Sequence, residues 1–203
     1  SKLWYLTKTP FSNDFFKQVI SDLSNLYGSI KGLSKKLLIL DLDDTLWGGI
    51  VGEVGWKNLR IGGHDHLGEA FRDFQIQIKS LKNQGIILAL ASKNDEVTAI
   101  KAINNHPEMI LSMEDFVTHR INWEDKAKNI VDIVDELNLG LQSVVFLDNS
   151  PFERARIQEA LPEVLVPELP KDPADYNTFS SKLRCFDTTN ITEEDKIRAD
   201  LYK

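Results

Sequence analysis

Apolar residues gather in three short, near-continuous runs: Leu37-Leu38-Ile39-Leu40, Ile86-Ile87-Leu88-Ala89-Leu90-Ala91 and Val144-Val145-Phe146-Leu147. Runs this short, rich in β-branched and aliphatic residues and apolar at both alternating positions, predict strands covered on both faces. Each run empties into polar residues: Asp41-Leu42-Asp43-Asp44-Thr45, Ser92-Lys93-Asn94-Asp95 and Asp148-Asn149-Ser150-Pro151. Between the runs the apolar period lengthens to that of a helix. Ala70, Phe71, Phe74, Ile78 and Leu81 mark one helix from about 67 to 82, and Glu96 to Ile100 opens another. Ile130, Val131, Ile133, Val134 and Leu137 mark a third, opened by Asn122-Trp123-Glu124-Asp125-Lys126 and stopped at Leu139-Gly140. A further short strand is expected near Phe116 to Ile121. Strands alternating with helices predict an α/β fold, a doubly wound Rossmann-like parallel sheet flanked by helices.

Chemistry belongs at the C-terminal ends of such strands. Side chains alternate faces along a strand, so Asp41 and Asp43 can share a side and be lifted into the crevice by the bend into Thr45-Leu46-Trp47-Gly48-Gly49. Two neighbouring carboxylates repel, and a hard divalent cation such as Mg²⁺ relieves that cost. The pair therefore reads as half of a metal site, with one carboxylate left to attack or to move a proton. A strand followed by an acidic turn is the plain alternative for an isolated DxDxT. Lys126 falls in the first turn of its helix, where a cation opposes the helix dipole, so a place at an anionic ligand is expected for it.

Taken in order, DxDxT, Ser92, Lys126 and Asp148 resemble the four motifs of the haloacid dehalogenase (HAD) superfamily. Receiver domains place their lysine last, and here Lys126 precedes Asp148. The nearer resemblance is to the FkbH-like branch. It is carried by Leu40 to Gly49, Ala91-Ser92-Lys93-Asn94-Asp95-Glu96, His106-Pro107-Glu108-Met109, Arg120-Ile121-Asn122-Trp123 and Phe146-Leu147-Asp148, and it covers residues 36 to 170. The resemblance implies Asp41 as the nucleophile that becomes an aspartyl phosphate, and Asp43 as general acid and then base. It implies Ser92, Lys93 and Lys126 at the phosphoryl group, and Mg²⁺ on Asp41, Asp148 and the backbone carbonyl of Asp43. An acid at position 43 favours phosphoester or acyl-phosphate chemistry over dehalogenation. Two departures stand out: Asn149 replaces a second acid after Asp148, and Ala91 stands where many relatives have cysteine.

The interval between the first two motifs holds a Gly-rich flap, Gly48 to Trp56, and one crossover helix, so the fold is expected to be capless with a short flap and an open site. Trp47 and Trp56 belong either at its mouth or in the core. An open site suits a phosphorylated small-molecule substrate or a bulky one. The resemblance implies removal of phosphate from a three-carbon acyl phosphate, with a glyceryl unit delivered to an acyl carrier protein. The alternatives are a general small-molecule phosphatase or a catalytically weak scaffold domain. His64-Asp65-His66, His106 and His119 lack the spacing of a metal site. Lys128 is the rival of Lys126 for the catalytic role.

Composition narrows the class without naming the function. The 203 residues are 42% hydrophobic and 27% charged, as in one ordinary globular domain. The single cysteine, Cys185, excludes an internal disulfide framework, and no signal peptide or apolar run of about 18 residues is present. A cytoplasmic location is expected. A net charge of −7 gives no general attraction to nucleic acid or to anionic membranes. Residues 1–35 read as an N-terminal helical segment or linker, with Phe15, Phe16, Val19, Ile20, Leu23 and Leu26 at helical spacing until Gly28; the expected place for this apolar face is the sheet or a neighbouring domain. Residues 36–185 read as the catalytic domain. Residues 186–203, with a helix start at Thr192-Glu193-Glu194-Asp195, read as a C-terminal helix or a linker to a further domain.

Overall fold

The computed structural model describes residues 11–30 and 35–186. Four parallel strands form the sheet: β1 Leu37–Leu40, β2 Ile87–Ser92, β3 Thr118–Ile121 and β4 Val144–Leu147, in the order β3-β2-β1-β4. All four expected strands are present. Leu165 bonds alongside β4 through Phe146 N to Leu165 O at 2.9 Å and Leu165 N to Val144 O at 3.1 Å, widening the sheet.

The continuous apolar pattern of the strands has a direct structural cause. Leu38, Leu40, Leu88, Leu90, Val145 and Leu147 face one core, while Leu37, Ile39, Ile87, Ala89, Val144 and Phe146 face a second. The first core is closed by Phe71, Phe74 and Ile78 of helix α3 (His66–Asn83) and by Ala99, Ala102 and Ile103 of α4 (Glu96–Asn105). Ile130, Ile133 and Val134 of α5 (Lys126–Glu136) and Ile157 of α6 (Pro151–Ala160) close the second. With both faces covered, β1, β4 and β2 as far as Ala91 carry no polar residue, whereas the edge strand β3 holds His119 and Arg120 half-buried.

From β1 the chain winds outward through β2 and β3, then crosses back to place β4 on the other side of β1. The carboxyl end of β1 is thus the topological switch point, where loops from neighbouring strands part and leave a crevice.

Two expected helix ends are corrected. Helix α1 runs Asn13–Ile30, through Gly28, because one glycine costs a helix only about 1 kcal/mol and does not end it. Its Phe15, Phe16, Ile20 and Leu23 are exposed, so these four do not pack on the sheet, and an ion pair joins Asp22 to Arg184 at 3.1 Å on the surface. Helix α5 ends at Glu136, before Gly140, because Asn138 takes a left-handed conformation (φ 49°) that reverses the chain. The helix expected from Thr192 lies outside the described residues.

Candidate active site

Every motif of the chemistry leaves the carboxyl edge of the sheet. Asp41 directly follows β1, its N–H still donating to Leu147 O at 3.0 Å, and is buried. Two residues on, Asp43 turns its carboxylate inward. Its Oδ1 accepts from the indole Nε1 of Trp47 at 2.8 Å and from Val51 N at 3.0 Å, while Oδ2 accepts from Asn94 Nδ2 at 3.0 Å. The intervening turn passes through Asp44 at φ 51°, a left-handed conformation held by Asp44 Oδ1 accepting from Gly49 N at 2.7 Å. Trp47 is fully buried, so of its two expected places it occupies the core, with its N–H fixing Asp43.

The flap beyond the turn is not featureless loop. Gly48 and Arg60 pair in antiparallel fashion, with N···O distances of 3.1 and 3.0 Å, and Val51–Val54 makes one helical turn, α2. Glycine is required at position 48, where a Cβ would lie 2.8 Å from the Phe71 ring.

Ser92 ends β2, and its Oγ accepts from Asn94 Nδ2 at 3.1 Å, which leaves the hydroxyl proton free for a ligand oxygen. Asn94 therefore bridges Ser92 and Asp43. It stood inside the motif Ser92-Lys93-Asn94-Asp95 without an assigned role, since only the folded chain brings its amide to Asp43. Lys93 lines the cleft, but its Nζ is held by Glu153 at 2.7 Å.

Lys126 opens α5 behind the Asp125 cap. Its Nζ stands 2.8 Å from Asp41 Oδ1 and 2.6 Å from Asp148 Oδ2, and all three side chains are buried. The two carboxylates lift the Lys126 pKa above its ordinary value although burial alone would lower it. Asp148 is pushed up, first by burial and then by Asp41, because one ammonium cannot compensate two acids. Its other oxygen accepts from Ser150 N at 2.7 Å. Asp43 is likewise raised by burial and by Asp41, against three hydrogen bonds that favour its charged form. Lys128 points away to Glu124 at 2.6 Å, exposed, and is not part of the site.

Asp41, Asp43, Lys93, Asn94, Asn149 and Trp123 border an open cleft of about 640 Å³, with Ser92, Lys126 and Asp148 buried behind these walls. Among the described residues, no group of three or more His, Cys, Asp or Glu side chains is gathered as a metal cage. Of the expected metal set, the Asp43 carboxylate already accepts from Trp47, Val51 and Asn94, while Asp41 and Asp148 share Lys126. Two buried carboxylates against one lysine leave an excess negative charge, and that donor set fits a hard divalent cation. His64, Asp65 and His66 form no such site; Asp65 caps α3 and pairs with Arg60 at 2.7 Å, which holds its carboxyl down at about 2.

No family model and no curated protein matches the chain. Among solved structures, the chain is similar to the N-terminal part of the protein BF1531 from Bacteroides fragilis, which contains a phosphatase domain and is complexed with Mg. The two are 43% identical over 93% of this chain, with a TM-score of 0.90. The chain spans 50% of that structure's length. It also resembles in fold the HAD domain of the Legionella pneumophila effector protein Lem4, at 14% identity and TM-score 0.52 over 74% of this chain and 93% of that one. With its parallel sheet in the order β3-β2-β1-β4, this chain shares the fold of that phosphatase-domain structure and of the HAD domain.

Proposed function

We propose that the chain is a Mg²⁺-dependent phosphohydrolase that works through an aspartyl-phosphate intermediate on Asp41. The observation that carries this reading is Lys126 held between Asp41 and Asp148 at 2.8 and 2.6 Å, beside an Asp43 whose carboxyl is raised above the usual range. The Asp41 carboxylate, 2.8 Å from a buried ammonium, is placed to attack phosphorus. As Asp41 forms its bond to phosphorus, the bond to the leaving oxygen breaks, and Asp43 delivers its proton to that oxygen. Water then attacks the same phosphorus while Asp43 takes its proton, which frees phosphate and Asp41. Ser92 donates its hydroxyl proton to a phosphoryl oxygen and Lys126 offsets the charge there, the kind of positioning and neutralisation this chemistry needs. Lys93 serves the phosphoryl group only by leaving Glu153. Asp41, Asp148 and the carbonyl of Asp43 would hold Mg²⁺, which supplies further charge neutralisation. The solved neighbour carrying a phosphatase domain with Mg supports both halves of the reading.

The finer assignment, to the FkbH-like branch, draws support from the open cleft and its rim. Ile50 and Trp123 line the cleft, and Val97 and Phe152 stand exposed in the first turns of α4 and α6; these apolar residues suit a bulky or protein-borne substrate such as an acyl group on a carrier protein, supplied by a partner or by a further domain. Delivery of a glyceryl unit requires the carrier thiol to attack the acyl carbon as phosphate departs, whereas attack by Asp41 on phosphorus yields the free acid. Ala91 is fully buried and offers no thiol of its own.

Hydrolysis of 4-nitrophenyl phosphate with Mg²⁺ tests the main reading. Asp41→Asn should abolish it with the fold intact, and Asp43→Asn should slow it by about 10² to 10⁴. Wild-type turnover in Asp41→Asn would sink the covalent mechanism. Incubation with a three-carbon acyl phosphate and a carrier protein separates free acid from acylated carrier by intact mass.

A further inference from the structure

Beside the catalytic cleft lies a second one, of about 480 Å³. It is walled by the Gly48-Gly49 turn, the start of α3, the start of α6 and the segment 168–176. Asp44 and Asn149 line both clefts, so the two adjoin at the carboxyl ends of β1 and β4.

Arg154 sets this second cleft apart. The residue is only 9% exposed and forms no ion pair among the described residues. Its Nη1 donates to the carbonyl oxygens of Asp148 and Asn149, each at 2.8 Å, the only side-chain hydrogen bonds it makes among the described residues. Nε and Nη2 keep their donors unused, and neither is sealed from solvent. A guanidinium presents donors in a fork that matches an oxyanion, and here two of its nitrogens stay open on the cleft side. No carboxylate of the cleft pairs with it among the described residues. Arg60 is committed to Asp65, Asp44 is exposed and accepts from Gly49, and Glu168 and Lys171 are exposed and solvated.

We propose that this cleft receives an oxyanion, a carboxylate or second phosphate, carried on the leaving-group portion of the substrate. The chain then selects phosphorylated acids over phosphoesters of neutral alcohols. The inference rests on the phosphoryl-transfer reading of Asp41: with phosphorus above Asp41, a leaving group passing Asp44 and Asn149 enters the second cleft and reaches the free face of Arg154.

Turnover of phosphoglycolate and of ethylene glycol monophosphate, which differ in a carboxylate against a hydroxymethyl group, provides the test. The expected result is a preference for phosphoglycolate of about tenfold or more in kcat/KM, the worth of one charge-assisted contact, expressed chiefly in KM. Arg154→Gln removes the preference, and Lys171→Glu, an exposed change that reverses charge at the cleft, reduces it. Equal losses on both esters in Arg154→Gln, with an unaltered preference in Lys171→Glu, would make Arg154 a purely structural brace and overturn the proposal. Calorimetric binding of both compounds to Asp41→Asn reads the subsite without turnover. Tighter binding of phosphoglycolate there, with neither ester hydrolysed by the wild type, would sink the phosphatase reading and leave the subsite standing; equal binding would remove the subsite. Inorganic sulfate that binds without weakening phosphoglycolate would place the anion on a separate molecule, against the proposal.

Discussion

Lys126 is the residue whose loss should be felt most. Its ammonium is the cation between two buried carboxylates, and removing one member of a buried ion cluster costs about 3–5 kcal/mol because the remaining charges stay desolvated. Lys126→Met should therefore lower Tm markedly, and thermal unfolding with added Mg²⁺ should recover part of the loss, since a bound cation replaces the missing charge. A variant as stable as the wild type would mean that the carboxylates are not both ionised. For the wild-type protein, Mg²⁺ should raise Tm by binding only the native state. That rise should vanish in Asp148→Ala and persist in Asn149→Ala, whose backbone N–H, rather than its side chain, holds Thr45 Oγ1 at 3.1 Å. Equal loss in both would make Asn149 a direct ligand.

At the scale of elements, Asp115 joins α3 to the turn before β3. Its buried carboxylate accepts from Lys79 at 2.6 Å, Lys82 at 2.9 Å and Ser112 N at 2.8 Å. Burial alone would raise its pKa, but these partners together hold it below the ordinary carboxylate value. A carboxyl with a depressed folded pKa contributes stability that is fully present above the unfolded value of about 3.9 and is lost as pH falls through the folded value. Asp115→Asn should thus cost about 2 kcal/mol at neutral pH, below the figure for a sealed pair because both lysines reach solvent. The cost should shrink on acidification, and a pH-independent difference in urea unfolding would disprove the charge argument. Strand positions and the inner faces of α3 and α5 were legible because their apolar period marks the side that packs on the sheet. The end of α5 was not, since a left-handed Asn138 depends on how the chain must turn toward β4.

Across the whole molecule, the apolar rim of the cleft makes a separate prediction. Trp123 is 75% exposed and touches the opening, so Trp123→Ala should leave Tm unchanged while lowering kcat/KM for a bulky aryl phosphate more than for a small alkyl one. Equal effects on both would remove the rim from substrate binding.

By itself, the order of apolar runs and polar ends determined the sheet, its two covered faces and the edge that carries Asp41, Asp43, Ser92, Lys126 and Asp148, because these follow from period and chain direction. Only the tertiary structure decided which donors hold each acid. The bond of Asn94 to Asp43 spans 51 residues of chain and that of Lys126 to Asp148 spans 22. Such distances across loops depend on packing, which no local pattern encodes. The same holds for the exposed residues of α1 and for Arg154, which forms no ion pair among the described residues.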